Sequence, residues 1–424
     1  MIELRVPGDK SIAHRALILS SLARGDSRIT NLPDGADVAS TLAMMRAFGV
    51  DVARDGDAAV VRGAGVDGLR APAAPIDCGN SGTTARLGIG LAAGLTASAT
   101  FDGDASLRRR PMERVVEPLR AMGAQVEYLA EHGRLPLRVT GGRLGACTFR
   151  NEVASAQVKS AILIAALASG VSAEIVEPTP TRDHTERMLR AMGAELLSDG
   201  SRIAYSPGAL RPLDLAVPGD FSSAAFLIAA ALLGRVPLVL RDVGVNTTRT
   251  GFLDVVRRMG GAVTVDAQRE VGGEPVADLE ARPSSLRGTT VSGAEVVRAI
   301  DELPLVAVLG ARAAGETVVR DAAELRAKES DRIHALVTNL AALGVDVEER
   351  ADGFVVRGSD SPIAGRAASF GDHRIAMAFA VLGTAPASDV AVDDLDVARV
   401  SYPGFAAQLA QLRAASTSSF GGAA

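Results

Sequence analysis

Leu119-Arg120-Ala121-Met122-Gly123-Ala124-Gln125-Val126 ends an apolar helix pattern, stops it at a glycine and opens an alternating strand. A glycine just past the last apolar helical residue supplies a left-handed C-cap, and the alternation beyond it reads as a strand. Near-identical wording recurs at Met45-Arg46-Ala47-Phe48-Gly49-Val50-Asp51-Val52 and at Leu189-Arg190-Ala191-Met192-Gly193-Ala194-Glu195-Leu196. It returns at Val256-Arg257-Arg258-Met259-Gly260-Gly261-Ala262-Val263 and at Leu340-Ala341-Ala342-Leu343-Gly344-Val345-Asp346-Val347. A degraded sixth form lies at Leu409-Ala410-Gln411-Leu412. Intervals of roughly seventy residues fit repeated α/β units rather than a thin solenoid.

A second repeat divides the first. Val6-Pro7-Gly8-Asp9 and Val217-Pro218-Gly219-Asp220 each end a strand-like run and open a long apolar helix. Pro fixes φ, Gly tolerates positive φ and Asp bonds back to the backbone, so each copy reads as a turn. Three glycine-capped repeats precede the second copy and about three follow it, which places a domain boundary near Pro218. Only the first copy continues with cations, as Lys10-Ser11-Ile12-Ala13-His14-Arg15, against Phe221-Ser222-Ser223-Ala224-Ala225-Phe226 in the second. The pattern is that of a duplicated scaffold with chemistry on one copy.

Composition narrows the function. A chain of 424 residues exceeds the usual single core, so two domains are expected. A net charge of -5 argues against a nucleic-acid partner. Two cysteines, Cys78 and Cys147, make neither a disulfide framework nor a four-cysteine metal site, which fits a reducing compartment. No apolar stretch is long enough to span a bilayer, and Ile2-Glu3-Leu4-Arg5-Val6 reads as a strand rather than a signal segment. A cytoplasmic protein without a membrane partner is expected. The tail 414–424, rich in Ser, Gly and Ala, reads as disordered.

Cations and small polar groups gather where apolar helices begin, and there the free amides and the dipole favour anions. Lys10-Ser11 opens one helix, with Arg15 one turn on; Gly79-Asn80-Ser81-Gly82-Thr83-Thr84 opens another, with Arg86 just inside. Ser155-Ala156-Gln157 opens a third. Arg182 precedes Asp183-His184-Thr185-Glu186, which has the spacing of a capping box. Lys328-Glu329-Ser330-Asp331-Arg332 puts Lys328 and Arg332 one turn apart on one expected helical face, and Asp372-His373-Arg374 begins a further apolar run. Single groups of this kind are ordinarily solvated lysines, N-caps or surface ion pairs. So many together in an acidic chain point to multiply charged anionic small molecules, which the planar fork of Arg suits. No P-loop, dinucleotide fingerprint, serine elbow or metal-ligand spacing of the five histidines occurs.

In order along nearly the whole chain, these motifs resemble the 5-enolpyruvylshikimate-3-phosphate synthase family, closest to its second class. The resemblance rests on Pro7 to Arg15, Gly79-Asn80-Ser81-Gly82-Thr83, Gly103-Asp104-Ala105-Ser106-Leu107 leading to Arg110-Pro111-Met112, and Ser155-Ala156-Gln157-Val158-Lys159-Ser160. It continues through Thr181-Arg182-Asp183-His184-Thr185-Glu186, Leu325-Arg326-Ala327-Lys328-Glu329-Ser330-Asp331-Arg332 and Asp372-His373-Arg374-Ile375-Ala376-Met377. It implies the enolpyruvyl transferase fold, an α/β architecture of two similar domains, each of three βαβαββ repeats around a pseudo-threefold axis. The domains would be 9–218 and 1–8 with 219–413, the two Val-Pro-Gly-Asp copies being the crossovers. It also implies transfer of enolpyruvyl from phosphoenolpyruvate to the 5-hydroxyl of shikimate 3-phosphate, without metal or other cofactor, by a monomer that glyphosate inhibits.

Carried over residue by residue, the resemblance assigns Lys10, Ser11, Arg15, Ser155, Ala156, Gln157, Arg182, Asp301 and Lys328 to shikimate 3-phosphate. It assigns Lys10, Asn80, Gly82, Arg110, Gln157, Arg332 and Arg374 to phosphoenolpyruvate. Asp301 would be the base, and Glu329, with Lys10, the proton donor. Three positions depart from the family pattern. Val400 stands where many members carry a Lys that contacts phosphoenolpyruvate, with Arg399 its neighbour; Glu324 stands where the first class has Asn; Gly82 stands where glyphosate-tolerant second-class members carry Ala. Two related activities are the alternatives. An enolpyruvyl transferase acting on UDP-N-acetylglucosamine would carry a reactive Cys between Gly103 and Arg110, where there is none. An RNA 3′-phosphate cyclase would need a His that accepts adenylate.

Overall fold

Six helices are apolar almost all round and are therefore buried almost all round: α1 (Lys10–Leu22), α2 (Gly82–Gly94), α3 (Ala156–Ser169), α4 (Phe221–Gly234), α5 (Leu303–Gly310) and α6 (His373–Leu382) in the computed structural model. The structure describes residues 1–152 and 154–420. The chain forms two units, one core in each. The N-unit is Gly8–Pro218 with Glu270–Glu274; the C-unit is Met1–Pro7, Gly219–Arg269 and 275 onward. Helices α1 to α3 fill the first core and α4 to α6 the second.

The repeats are βαβαββ. In the second one, Ile76–Asp77 pairs in parallel with Ser98–Asp102 across α2, and the hairpin Gln125–Tyr128 with Leu137–Thr140 adds antiparallel strands beyond. The third repeat repeats this order with Cys147–Arg150, Ala173–Val176, Arg202–Tyr205 and Leu196–Ser198. The first repeat takes its parallel edge strand from Leu215–Ala216, beside Arg24–Thr30. In the C-unit, Ile2–Arg5 fills that position beside Leu238–Gly244. The fifth repeat is complete, whereas the sixth keeps Ala364–Ala367 and Asp389–Val392, then ends in a helix. That missing hairpin accounts for the degraded sixth signature.

Five outer helices, Ala36–Ala47, Glu113–Ala121, His184–Ala191, Gly251–Arg258 and Arg332–Ala342, end at the five glycines. Gly49, Gly123, Gly193, Gly260 and Gly344 hold φ of 86°, 114°, 88°, 91° and 79°. The residue after each glycine donates its amide back over the last turn, as in Val50 N to Met45 O at 3.0 Å and Ala124 N to Leu119 O at 3.0 Å. This is a Schellman closure, and an L-residue would be strained in it.

Two local expectations fail. Val-Pro-Gly-Asp is not a turn. Gly8 and Gly219 lie in extended backbone, where the Asp9 amide donates to the Pro218 carbonyl at 2.7 Å and the Asp220 amide to the Pro7 carbonyl at 2.8 Å. Glycine is needed there for close approach rather than for positive φ, since a Cβ on Gly8 would stand 2.0 Å from the Asn31 carbonyl. The C-terminal segment is also not wholly irregular. The helix Phe405–Phe420 runs through it, with Ser416 Oγ donating to the Gly234 carbonyl at 2.7 Å; residues 421–424 lie outside the described residues.

Small residues let α2 and α3 touch backbone to backbone. A Cβ on Gly90 would fall 2.5 Å from the Ala161 carbonyl oxygen, and one on Gly94 2.6 Å from that of Ala165. Gly90→Ala therefore destabilises the chain despite a propensity gain of about 1 kcal/mol, because overpacking a rigid core costs about 1–3 kcal/mol. Gly142→Ala, whose Cβ meets nothing within 4 Å, serves as the control. Denaturant midpoints decide the sign: an unchanged or raised midpoint for Gly90→Ala would refute the packing.

Candidate active site

The N-unit gathers its cations at the starts of α1, α2 and α3. Asp9 caps α1, its carboxylate accepting from the Ile12 amide at 3.0 Å, and this exposes Lys10 and Ser11 at the first turn. Lys10 pairs with Asp37 at 2.7 Å. Arg15 is buried, donating to Thr185 Oγ1 at 2.7 Å, Ser160 Oγ at 2.8 Å and the Ser11 carbonyl at 2.9 Å. None of these partners carries charge. Burial lowers its pKa to about 10, and Arg182, close enough to act through its charge, contributes in the same direction; the guanidinium stays cationic.

At α2, Ser81 caps the helix through the Thr84 amide, and two guanidinium groups converge on Gly82. A Cβ there would lie 2.9 Å from Arg86 Nη1 and 3.4 Å from Arg110 Nη1. Arg110 is held by Asn80 Oδ1 at 2.5 Å, and Asn80 in turn donates to Asp104 at 2.7 Å. Arg86 donates to Gln157 Oε1 at 2.7 Å, while Gln157 donates to Thr83 Oγ1 at 3.0 Å, which joins the start of α2 to that of α3. Ser155 precedes α3 and its carbonyl accepts from Asn151 at 3.1 Å. Free amides plus two arginines make this N-terminus a seat for a phosphate or carboxylate.

Behind these ends runs a buried hydroxyl chain. His14 Nδ1 meets Thr41 Oγ1 at 2.6 Å, Thr41 meets Thr84 Oγ1 at 2.7 Å, and Thr84 reaches Ser81 Oγ at 2.8 Å. Burial holds the His14 pKa down at about 3, with Asp37 opposing and Lys10 and Arg15 adding to the fall. His14 is therefore neutral.

The C-unit is organised around carboxylates. Asp301 stands just before α5, with Arg249 and Arg332 at 3.6 Å and Arg374 at 3.7 Å from its oxygens. Arg374 also donates to the Asp301 carbonyl at 3.0 Å. Arg332, 1% exposed, pairs with Asp372 at 2.8 Å and with Glu329 at 2.6 Å. Burial alone would raise the Asp372 carboxyl, but Arg332 outweighs it and holds the group below the usual carboxylate range. Asp372 also caps α6 through the Arg374 amide at 2.9 Å. Lys328 lies 3.8 Å from Glu324, and withdrawal from water pulls its ammonium pKa down against the pull of Asp301 and Glu324.

The structure thus brings Lys10, Ser11 and Arg15 to one helix end, Asn80, Gly82, Arg110 and Gln157 to a neighbouring pair, and Asp301, Glu329, Arg332 and Arg374 to one cluster. Two readings change. Asp183–Glu186 forms no capping box: Asp183 pairs with Arg187 at 2.9 Å and Glu186 with the buried Lys159 at 2.8 Å. Lys328 and Arg332 do not share a helical face, because Lys328 is extended after a 3₁₀ turn and Asp331 caps a new helix, Arg332–Ala342. Sequence reasoning also left Arg249 and Asp37 without a role, and gave Asp372 and Glu302 only the local roles of an N-cap and a first-turn acid. Arg249 had a signal: it stands two residues before its outer helix, as Arg182 does. Among the described residues, no group of three His, Cys, Asp or Glu could hold a metal ion, and no helix is long and apolar enough to cross a membrane.

A family model described as EPSP synthase (3-phosphoshikimate 1-carboxyvinyltransferase) matches residues 2–409. The chain belongs to the EPSP synthase family. A 3-phosphoshikimate 1-carboxyvinyltransferase of Desulforudis audaxviator is 49% identical over 414 residues, covering 97% of this chain and 96% of that protein. One of Gloeobacter violaceus is 49% identical over 415 residues, with the same coverage. The solved EPSP synthase of Acinetobacter baumannii superposes with a TM-score of 0.86 at 39% identity, over 97% of this chain and 95% of that one. The enolpyruvyl transferase NikO of Streptomyces tendae, at 19% identity and a TM-score of 0.74, shares the fold over 97% of this chain and 94% of its own.

Neutral His14 has a measurable consequence in this EPSP synthase fold. Its pKa is about 3 in the fold against about 6.5 for a free imidazole, so the unfolded chain binds one more proton between those values. Stability is then full above about pH 6.5 and falls with acid, by about 1.4 kcal/mol per pH unit. Unfolding free energies at pH 6 and pH 5 should show a slope that His14→Gln reduces by about that amount. Equal slopes in the two proteins would mean His14 is charged in the fold.

Proposed function

We propose that the chain transfers the enolpyruvyl group of phosphoenolpyruvate to the 5-hydroxyl of shikimate 3-phosphate and releases phosphate. Family membership over residues 2–409 supports this reading, and the observation that carries it within the molecule is the Asp301 carboxylate set among Arg249, Arg332 and Arg374. Both substrates carry a phosphate and a carboxylate. Bringing them together is opposed by charge repulsion that fixed protein cations must offset.

Shikimate 3-phosphate is assigned to Lys10, Ser11, Arg15, Ser155, Ala156, Gln157, Arg182, Asp301 and Lys328. Phosphoenolpyruvate is assigned to Lys10, Asn80, Gly82, Arg110, Gln157, Arg332 and Arg374, and Arg86 joins that set because it converges on Gly82 with Arg110. Asp301 takes the 5-hydroxyl proton as that oxygen bonds to the central carbon of phosphoenolpyruvate. Glu329, with Lys10, delivers a proton to the methylene carbon. The tetrahedral adduct then loses a proton from the new methyl group while the carbon–oxygen bond to phosphate breaks and phosphate leaves with its electron pair. The route uses side chains alone, in a monomeric cytoplasmic enzyme.

Glyphosate is the proposed inhibitor, competing with phosphoenolpyruvate at the start of α2. Gly82 leaves that seat open, so this chain is more sensitive than relatives that carry Ala there.

Phosphate release should require phosphoenolpyruvate with shikimate 3-phosphate and be absent with UDP-N-acetylglucosamine; the reverse result would overturn the substrate assignment. Asp301→Asn should lower kcat by about 10²–10⁴-fold while leaving the thermal midpoint near that of the parent. Gly82→Ala places a methyl against Arg86 and Arg110, so it should weaken glyphosate more than phosphoenolpyruvate. Glyphosate inhibition that is uncompetitive or absent in the parent chain would count against a shared seat.

A further inference from the structure

Asp301 has more cations around it than the substrate assignment uses. Arg332 and Arg374 are assigned to phosphoenolpyruvate, and Arg249 is assigned to nothing. Its side chain is 3% exposed, and it sits in the segment between α4 and the outer helix Gly251–Arg258. Asn246 braces that segment, its carbonyl accepting from the Arg249 amide at 2.8 Å and its side chain from the Thr248 amide at 3.0 Å. Arg249 donates to Ser222 Oγ at 2.7 Å, on the first turn of α4. Its guanidinium lies 3.6 Å from Asp220, 3.6 Å from Asp301 and 3.7 Å from Glu302. Ser222 in turn donates to Glu302, which is 0% exposed.

We propose that Arg249 is a positioning residue for the transfer reaction, holding the Asp301 carboxylate ionised and aimed while Arg332 and Arg374 are engaged by phosphoenolpyruvate. The proposal rests on the reading of Asp301 as the base. An anionic substrate that draws on Arg332 and Arg374 weakens their hold on Asp301. Arg249 is fixed by Ser222, Asp220 and Glu302, none of them assigned to phosphoenolpyruvate, so its hold persists. The division explains why a guanidinium is buried here: a cation that no substrate claims keeps the base in register through the cycle.

The groups facing Asp301 set the expected pH response. Arg249, Arg332 and Arg374 favour its anion, as does the charge of Lys328; Glu302, its chain neighbour, opposes it. Losing one cation at this range should raise the apparent pKa of an aspartate by about one unit. The acid limb of kcat/KM then moves up in pH, because more alkaline conditions are needed to deprotonate the base.

Removing Arg249 alone would leave the buried Glu302 with only one of its two cations, Arg374 at 3.7 Å, so the test pairs the changes. The full chain is compared as parent, Glu302→Gln, Arg249→Gln with Glu302→Gln, Arg249→Lys and Asp301→Asn, using phosphoenolpyruvate and shikimate 3-phosphate. Thermal unfolding checks that each is folded. Relative to Glu302→Gln, the paired variant should move the acid limb up by about one pH unit and lower kcat about tenfold at neutral pH, with KM for phosphoenolpyruvate nearly unchanged. Arg249→Lys keeps the charge but lacks the fork that spans Ser222 and Asp301; it should keep the limb in place with a lowered kcat, and it carries the test should the paired variant not fold. A limb and kcat unmoved in both variants, with Asp301→Asn inactive, would overturn the role of Arg249. An active Asp301→Asn would instead overturn the base assignment on which the role rests.

Discussion

The pair between Arg332 and Asp372 constrains everything around it in the C-unit. Both side chains are at most 1% exposed, and two contacts of 2.8 and 3.3 Å join them. A buried ion whose partner is lost costs about 3–5 kcal/mol, so neither group can move without the other. Arg332 opens one helix and Asp372 caps α6; the pair therefore fixes two helix starts against each other. Glu329 and Arg374 hang from those same starts. Both side chains inherit their geometry from a charge pair that the fold itself must satisfy. The N-unit meets the same requirement with Lys159, which is held between Glu177 at 2.6 Å and Glu186 at 2.8 Å.

Such buried ions need a scaffold that leaves little slack, and small side chains provide it. Aromatic residues make up only 3% of the chain and there is no tryptophan, so the cores are built of Ala, Leu, Val and Ile. Compact side chains bring helix axes close, to the point where glycines of α2 meet carbonyls of α3. Close packing transmits small displacements, which is why a helix start can hold a guanidinium in place. Rigidity at such starts suits an anion in general, since amides and arginines aimed in advance lose little entropy when one arrives.

The parts legible in the sequence are those decided within a few residues. Five glycines announce five helix ends because positive φ is a local demand, and the wording of each end is nearly the same. Asp372 caps its helix, as its place before an apolar run suggests, by a bond spanning two residues. Readings fail where a distant partner competes. Glu186 has the spacing of a capping residue but is drawn to Lys159, a buried ammonium on another helix. Gly8 is required by the Asn31 carbonyl, and nothing adjacent in the chain announces that contact. Arg249 is the instructive case: its repeat position matches Arg182, yet its partners Ser222, Asp301 and Glu302 come from two other segments.

Duplication gives the two units a common frame and lets them diverge in charge. Lys10 and Arg15 on α1 correspond to Phe221 and Phe226 on α4, while Ser11 and Ser222 are retained. In the N-unit, Arg15 is tied down by hydroxyls and a carbonyl, and only the more distant charges of Glu186, Asp9 and Glu274 offset its own. In the C-unit the matching cation is gone, and Glu302 brings a carboxylate of the chain's own against Ser222 and Arg249. One frame thus holds Arg15 among hydroxyls, and its copy carries an anion built in. Ser222, retained from the duplication, and Arg249, at the repeat position of Arg182, together hold that carboxylate next to Asp301.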